Sequence, residues 1–372
     1  MKATAALTLA GGIAVGLALG AVLFRTEERP PPPMATGGEQ AAPAVAPAKA
    51  PSVQWKLASM FPQTLVLTGV QGTRLIRRLA EVSDGDIALK YYEPGALVPG
   101  LEIFDAVSSG AVDAGWSSPG FWAGKVPALQ FFTAVPFGPE PGEFVAWVMY
   151  GGGRELYEDI YRPHNIHPLI CNMTSPEGSG WFRRPIESAA DLKGLKMRFF
   201  GLGAKVVEKL GVSTQLIAPG DIFPALELGT IDAAEFAMPV MDEALGLDQV
   251  AKHYYFPGWH QPASLGELIV NMERWDALNA TQKAQIEMAC WESTLRGLAE
   301  GEALQGPALV ELQRRGVTLH HWPPEMIEAY RGAWAQVVAE QAAADADFAR
   351  VWKSLSEFRE TYKVWGEYGY LR

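Results

Sequence analysis

The sequence predicts an α/β protein of two lobes with a ligand cleft between them and long C-terminal helices bracing both. Three observations predict it. Residues 103–114 align with residues 222–233, and six of the twelve positions are identical. Residues 75–82 and 204–210 have helical spacing and each precedes its copy of the repeat, giving the order helix, strand, helix, strand twice over. From Asp276 onward the apolar pattern becomes mainly helical. Length and composition agree, because 372 residues with 48% hydrophobic and 20% charged can fill two cores and are too apolar for a disordered chain. The formal charge of −11, with no long basic run, excludes the counterion release that nucleic-acid binding requires and offers nothing to an anionic membrane surface.

Taken in order, residues 1–27 read as an N-terminal membrane anchor or signal. Residues 5–24 carry no charge, and an apolar helix of about 20 residues matches a bilayer core. Ala18-Leu19-Gly20 has the small-x-small pattern of a cleavage site, whereas the apolar run continuing through Phe24 to Arg25 suits a retained anchor somewhat better. Residues 28–52, with Pro30 to Pro33 and an Ala/Pro-rich run to Pro51, form a tether that buries too little to fold. Either reading exports the rest, so the expected location is the periplasm, with tethering to the inner membrane through residues 5–24.

Residues 53–172 are assigned to the first lobe and 173–259 to the second. In each repeat a glycine, Gly110 or Gly229, stands where a left-handed cap ends a short helix, followed by a β-branched strand start that ends in Asp-Ala. Open α/β sheets bind ligands beyond the carboxyl ends of their strands, which places Trp116, Glu235 and Phe236 at a shared cleft. Residues 260–372 supply return strands and C-terminal helices over 280–298, 301–315, 324–343 and 348–358, with a short strand at 316–319.

A search for catalytic chemistry finds no Gly-x-Ser-x-Gly elbow and no Walker sequence, and Gly201-Leu202-Gly203 lacks the third glycine of a dinucleotide fingerprint. Cys171 and Cys290 have no CxxC spacing; two buried thiols are the default reading, and a single bridge between them stays open. His164, His167, His320 and His321 lack nearby ligands at zinc spacing and read as solvated loop residues. His260, within the constrained loop from Pro257 to Pro262, is the histidine placed near the cleft, in an orienting role. After the Lys193-Gly194 turn, strand alternation puts Leu195 and Met197 on one face and Lys196 and Arg198 on the other. A guanidinium at that strand end can grip a carboxylate with two parallel hydrogen bonds; a surface salt bridge is the alternative.

Several blocks in one order then mark a family resemblance: Leu57-Ala58-Ser59, Leu97-Val98-Pro99-Gly100-Leu101, Gly180-Trp181-Phe182-Arg183-Arg184, Gly194-Leu195-Lys196-Met197-Arg198, residues 220–227 and Tyr254-Tyr255-Phe256-Pro257-Gly258-Trp259. From about Trp55 to Tyr362 the chain resembles the solute receptors of tripartite ATP-independent periplasmic (TRAP) transporters, in particular the branch that binds 2-oxo acids such as pyruvate. The resemblance implies a periplasmic-binding-protein-like fold and no catalysis. It also implies that Arg198 binds the ligand carboxylate, and that a cation, sodium or calcium, bridges ligand and protein through Glu177, Glu235, Gln261 and the backbone carbonyl of Phe236.

The chain departs from that pattern in four places. Glu177 and Gln261 stand where the branch has Gln and Glu, which keeps two carboxylates at the site. Those two, a monocarboxylate and Arg198 leave a charge that a divalent ion cancels and sodium does not, so calcium is expected at least as readily as sodium. Met173 stands where an asparagine would contact the oxo acid and Phe236 where a tryptophan would, which points to an apolar side chain on the ligand. The chain ends at Arg372, short of the segment the branch exchanges between subunits, and leaves the oligomeric state open.

The leading expectation is therefore a receptor that binds a small 2-oxo or 2-hydroxy monocarboxylate and delivers it to a membrane permease. The alternatives are a secreted metal-dependent lyase using Glu177 or Glu235 as base, and a ligand-sensing adaptor.

Overall fold

The computed structural model describes residues 50–371. The anchor or signal at 1–27 and the tether up to residue 49 lie outside the described residues. Among these, no helix is long and apolar enough to cross a membrane.

Two sheets carry the fold. The first has the order β2-β1-β3-β10-β4, formed by β1 (Val53–Ser59), β2 (Ile87–Tyr92), β3 (Ala114–Ser117), β4 (Ile166–Thr174) and β10 (Ser264–Asn271). The second has the order β11-β9-β5-β8-β6-β7, formed by β5 (Gly180–Phe182), β6 (Lys196–Arg198), β7 (Ser213–Gln215), β8 (Ala233–Ala234), β9 (His253–Phe256) and β11 (Thr318–His321). The chain passes between sheets after β4, returns after β9 and passes again after β10 on its way to β11, so residues 175–179 and 257–263 are the short connections between the lobes.

The sequence repeat is a structural duplication. In the first lobe β1 pairs in parallel with β2 and β3; in the second, β6 pairs in parallel with β7 and β8. The registers superpose Leu57↔Ala114 on Met197↔Ala233 and Ala58↔Gly115 on Arg198↔Ala234. Even the turn chemistry repeats: the Asp113 carboxylate accepts from the backbone N–H of Lys56 at 2.8 Å, and the Asp232 carboxylate from that of Lys196 at 2.9 Å. Gly110 and Gly229 adopt φ of 76° and 73°, the left-handed conformation in which a side chain is disfavoured. Arg198 thus occupies the position of Ala58, and Glu235 that of Trp116.

The C-terminal helices brace both lobes. The helix Ala280–Arg314 packs on β4 and on the helix Thr68–Val82 in the first lobe and on the helix Pro239–Ala244 in the second. It is one continuous helix, where the sequence suggests a break near residue 299. Gly297 and Gly301 look like helix breakers but serve close packing: a Cβ at 297 would lie 2.1 Å from Asn172 Oδ1, and one at 301 would lie 2.9 Å from Ser175 Oγ. The helix Pro324–Ala344 packs on the helix Leu202–Lys209 of the second lobe, and the helix Ala346–Gly369 returns to the first. Its length exceeds the expected 348–358.

Two further expectations are corrected. Cys171, on β4, and Cys290, on the long helix, form a disulfide with a Cα separation of 4.0 Å, in place of two thiols. Of the four histidines read as solvated loop residues, His321 alone is exposed. His164 packs edge-on against Phe104, and His167 sits in β4 stacked on Trp275 at 3.9 Å. His320 lies on β11, stacked on Tyr255 with its Nε2 3.0 Å from His253 Nδ1.

Candidate functional site

The cleft between the sheets is lined by residues of both lobes. Its floor on the second lobe is set by a local ladder. β6 ends at Arg198 and β8 ends one residue before Glu235, whose backbone N–H donates to the Arg198 carbonyl at 3.0 Å. Both side chains are almost wholly buried, at 1% and 0% exposure. Arg198 Nη1 donates to the Glu235 backbone carbonyl and to its Oε2 at 3.0 Å, and Nε donates to the Ile217 carbonyl at 3.4 Å. Nη1 has both its protons engaged. Nη2 is the guanidinium nitrogen without a hydrogen-bond partner among the described residues, and the cleft lies beside it. The two-pronged grip expected of Arg198 is therefore partly occupied by Glu235.

The other walls come from the segments that join the lobes. Glu177 lies on the first crossing and Gln261 on the second, and Gln261 Nε2 donates to Glu177 Oε1. Gly258 makes this approach possible, since a Cβ there would sit 2.2 Å from the Glu177 carbonyl oxygen. Trp259 holds the second crossing in place, stacked on Tyr330 at 4.2 Å and accepting at its carbonyl from Phe137 N–H at 2.7 Å. His260, with 0% exposure, brings Nε2 to 3.3 Å from Glu235 Oε1.

This packing leaves buried acceptors without donors: Glu177 Oε2, Glu235 Oε1 and Gln261 Oε1. Glu177, Glu235 and His260 each offer a ligand atom, all within 4.8 Å of one another. Three oxygen acceptors and an imidazole, lacking donors and bearing two carboxylates, fit a cation, and the oxygens suit a hard one. The electrostatics agree. Burial, with Glu235 and Asp242 nearby, pushes the Glu177 carboxyl well above its usual range. Burial also works against Glu235, but the Arg198 guanidinium, His260 and the Phe200 N–H outweigh it and hold that carboxyl below the ordinary value. Burial lowers Arg198, against the pull of Glu235, Glu177 and Asp242.

Of the residues singled out from the sequence, Glu177, Arg198, Phe236 and Gln261 line the cleft, and Glu235 lies directly behind Arg198. Met173 does not. It is buried on β4 between Asn172 and Thr174, and those two line the cleft while alternation turns Met173 away. Asn172, one residue earlier, offers its amide to the cleft instead. Residues passed over in the sequence include Asn172, Thr174, Ser264 and, as a candidate ligand, His260.

Residues 62–345 match the family described as bacterial extracellular solute-binding protein, family 7. The chain belongs to this family. Among its relatives, a monocarboxylate 2-oxoacid-binding periplasmic protein of Nostoc is 36% identical over 85% of this chain and 86% of its own. A TRAP transporter solute-binding protein from Bordetella bronchiseptica superposes with a TM-score of 0.83 at 36% identity, covering 85% and 94% of the two chains; it is a mixed-occupancy dimer with copurified calcium and picolinate in one active site. A TRAP periplasmic solute-binding protein from Pseudoalteromonas atlantica, with bound sodium and pyruvate, gives 0.82 at 32% identity over 85% and 96%. This family 7 chain is accordingly a TRAP solute receptor with the two-lobed fold, and not an enzyme; the lyase reading of Glu177 or Glu235 is not favoured.

Proposed function

We propose that this receptor binds a small 2-oxo or 2-hydroxy monocarboxylate together with a bridging sodium or calcium ion and delivers the acid to a TRAP permease in the membrane. The observation that carries the reading is the pairing of an open Arg198 Nη2 with donor-starved oxygens of Glu177, Glu235 and Gln261 in one buried cleft. An anion suits the first and a cation the second, and a 2-oxo or 2-hydroxy acid chelates a cation through one carboxylate oxygen and its neighbouring oxygen. Asn172 borders the same space and supplies an amide for the ligand's second oxygen. Pyruvate and picolinate, present with sodium or calcium in relatives, share this pattern of a carboxylate beside a second donor.

Cation binding here would be supplied by Glu177, Glu235 and Gln261, with the Phe236 carbonyl and His260 beside them. Its role is to neutralise the carboxylates and hold the acid's oxygens. The charge count favours calcium over sodium, because two carboxylates and an acid outweigh one guanidinium in a site with little water to screen them. The uncharged stretch 5–24 and the tether at 28–52 would keep the exported receptor near its permease and raise its effective concentration. A signalling partner in place of the permease is the remaining alternative.

Native mass spectrometry of the full chain purified without added ligand tests the reading, with the released molecule and metal identified after denaturation. A 2-oxo or 2-hydroxy acid accompanied by calcium is the expected result. Sodium alone at full occupancy would overturn the calcium preference. An empty protein that shows no thermal shift with 2-oxo acids in the presence of either cation would overturn the function.

A further inference from the structure

Arg198 and the cation account for the two ends of a 2-oxo acid's polar head, and the cleft wall extends beyond both. The rest of the wall is built from rings. Phe200 and Phe236 stand 5.7 and 5.5 Å from the Arg198 guanidinium carbon, so they flank the point where a carboxylate docks. Phe121 of the first lobe meets Phe200 at 4.8 Å and Phe61 at 6.1 Å, which carries the aromatic wall across from the second lobe to the first, and Trp116 lines the same space. All five are 7% exposed or less, and they turn cleft-lining faces toward a space that no side chain of the described residues fills.

We infer that the ligand carries a flat aromatic ring close to its carboxylate, making this a receptor for aromatic 2-oxo acids. The inference rests on the 2-oxo acid reading above and deepens it. A ring entering between Phe200, Phe236 and the first-lobe aromatics finds partners for edge-to-face and offset contacts, whose quadrupole attraction adds to area burial. A methyl group there leaves the surrounding rings facing a gap and forfeits their dispersion contacts. A branched aliphatic chain fills the volume but lacks the edge and face polarity that the rings match.

Titration calorimetry on the full chain in mild detergent with excess calcium, using phenylpyruvate, 4-methyl-2-oxopentanoate and pyruvate, tests it. Phenylpyruvate is expected to bind at least tenfold more tightly than either aliphatic acid. Equal or tighter binding of pyruvate or of the branched acid would overturn the ring inference and leave the 2-oxo acid receptor standing. No binding of any of the three, with calcium or with sodium, would overturn both. The substitution Phe236→Trp, which thickens the wall beside Arg198, is expected to lower the phenylpyruvate-to-pyruvate affinity ratio at least fivefold. An unchanged ratio would remove this wall as the ring's seat.

Discussion

Arg198 divides its guanidinium: Nη1 is held by Glu235, and Nη2, without a partner among the described residues, is open to the carboxylate of the proposed ligand. Arg198→Lys cannot do both, because an ammonium is a point donor without the fixed fork, and it would also leave Glu235 poorly compensated. Calorimetry should show ligand affinity falling about 100-fold, in line with the 2–5 kcal/mol measured when one partner of a buried charge pair is truncated. A loss below fivefold would mean that the carboxylate docks elsewhere. The neighbouring strand offers a sharper comparison. Asn172→Leu should weaken binding of a 2-oxo acid about tenfold, the worth of roughly one hydrogen bond, whereas Met173→Leu should change it by less than twofold because Met173 faces the core. The reverse order would reinstate Met173. Arg198 at a strand end was legible from strand alternation, and the carboxylates Glu177 and Glu235 around it from the family resemblance. Which of two adjacent β4 residues faces the cleft was not, since that depends on the pairing of β4 with β10 and the register shift at Gly266/Glu267.

Elements show the same division between local and tertiary causes. The duplicated helix-cap-strand unit could be read from Gly110 and Gly229, because a left-handed cap followed by β-branched residues is a local instruction. The continuity of the long helix could not, because Gly297 and Gly301 are explained by Asn172 and Ser175 on the far side of a packing interface. Gly297→Ala should therefore lower the melting temperature and weaken ligand binding, even though alanine is about 1 kcal/mol better than glycine in a helix: its Cβ would lie 2.1 Å from Asn172 Oδ1 and push that side chain toward the cleft. Gly332→Ala, in the exposed part of the helix Pro324–Ala344 with nothing within 4 Å of the new Cβ, should instead stabilise by about 0.5–1 kcal/mol. A rise in melting temperature for both would show that the long helix tolerates a side chain at 297. The pairing of β4 with the helix Met272–Asp276 sets an acid limit on stability. Burial, with Arg154, Lys283 and Arg162 adding to it, lowers His167 from 6.5 to about 4. A neutral histidine stacked on Trp275 contributes stability fully above pH 6.5, and that contribution is lost as pH falls toward 4, because the unfolded chain takes up the proton first. His167→Phe should flatten this part of the melting-temperature profile, and an unaltered slope between pH 6.5 and 4 would assign the acid sensitivity to other groups.

At the scale of the whole molecule, the site lies between the lobes and on the short segments that connect them. Glu177 and Gln261 sit on the two short connections between the lobes, while Arg198 and Glu235 belong to strand ends of the second lobe, so the proposed cation and acid would tie both connections to one lobe. The first lobe then meets the second through rings, with Phe121 against Phe200 at 4.8 Å. Gly120 lets that contact form: a Cβ there would lie 2.5 Å from the Phe200 ζ carbon and 2.6 Å from Thr133 Oγ1. A ligand that requires the closed arrangement binds in proportion to the fraction of molecules able to adopt it, so each 1.4 kcal/mol of obstruction raises the apparent Kd about tenfold. Gly120→Leu leaves Arg198, Glu177, Glu235 and Gln261 untouched yet places a side chain where Phe200 must settle. It should raise the apparent Kd at least tenfold. In small-angle scattering, ligand and calcium should contract the parent protein and fail to contract the variant at concentrations that saturate the parent. Should the variant contract and bind like the parent, the Phe121–Phe200 contact would not limit closure, and the energy of binding would have to be sought in the anchoring groups alone.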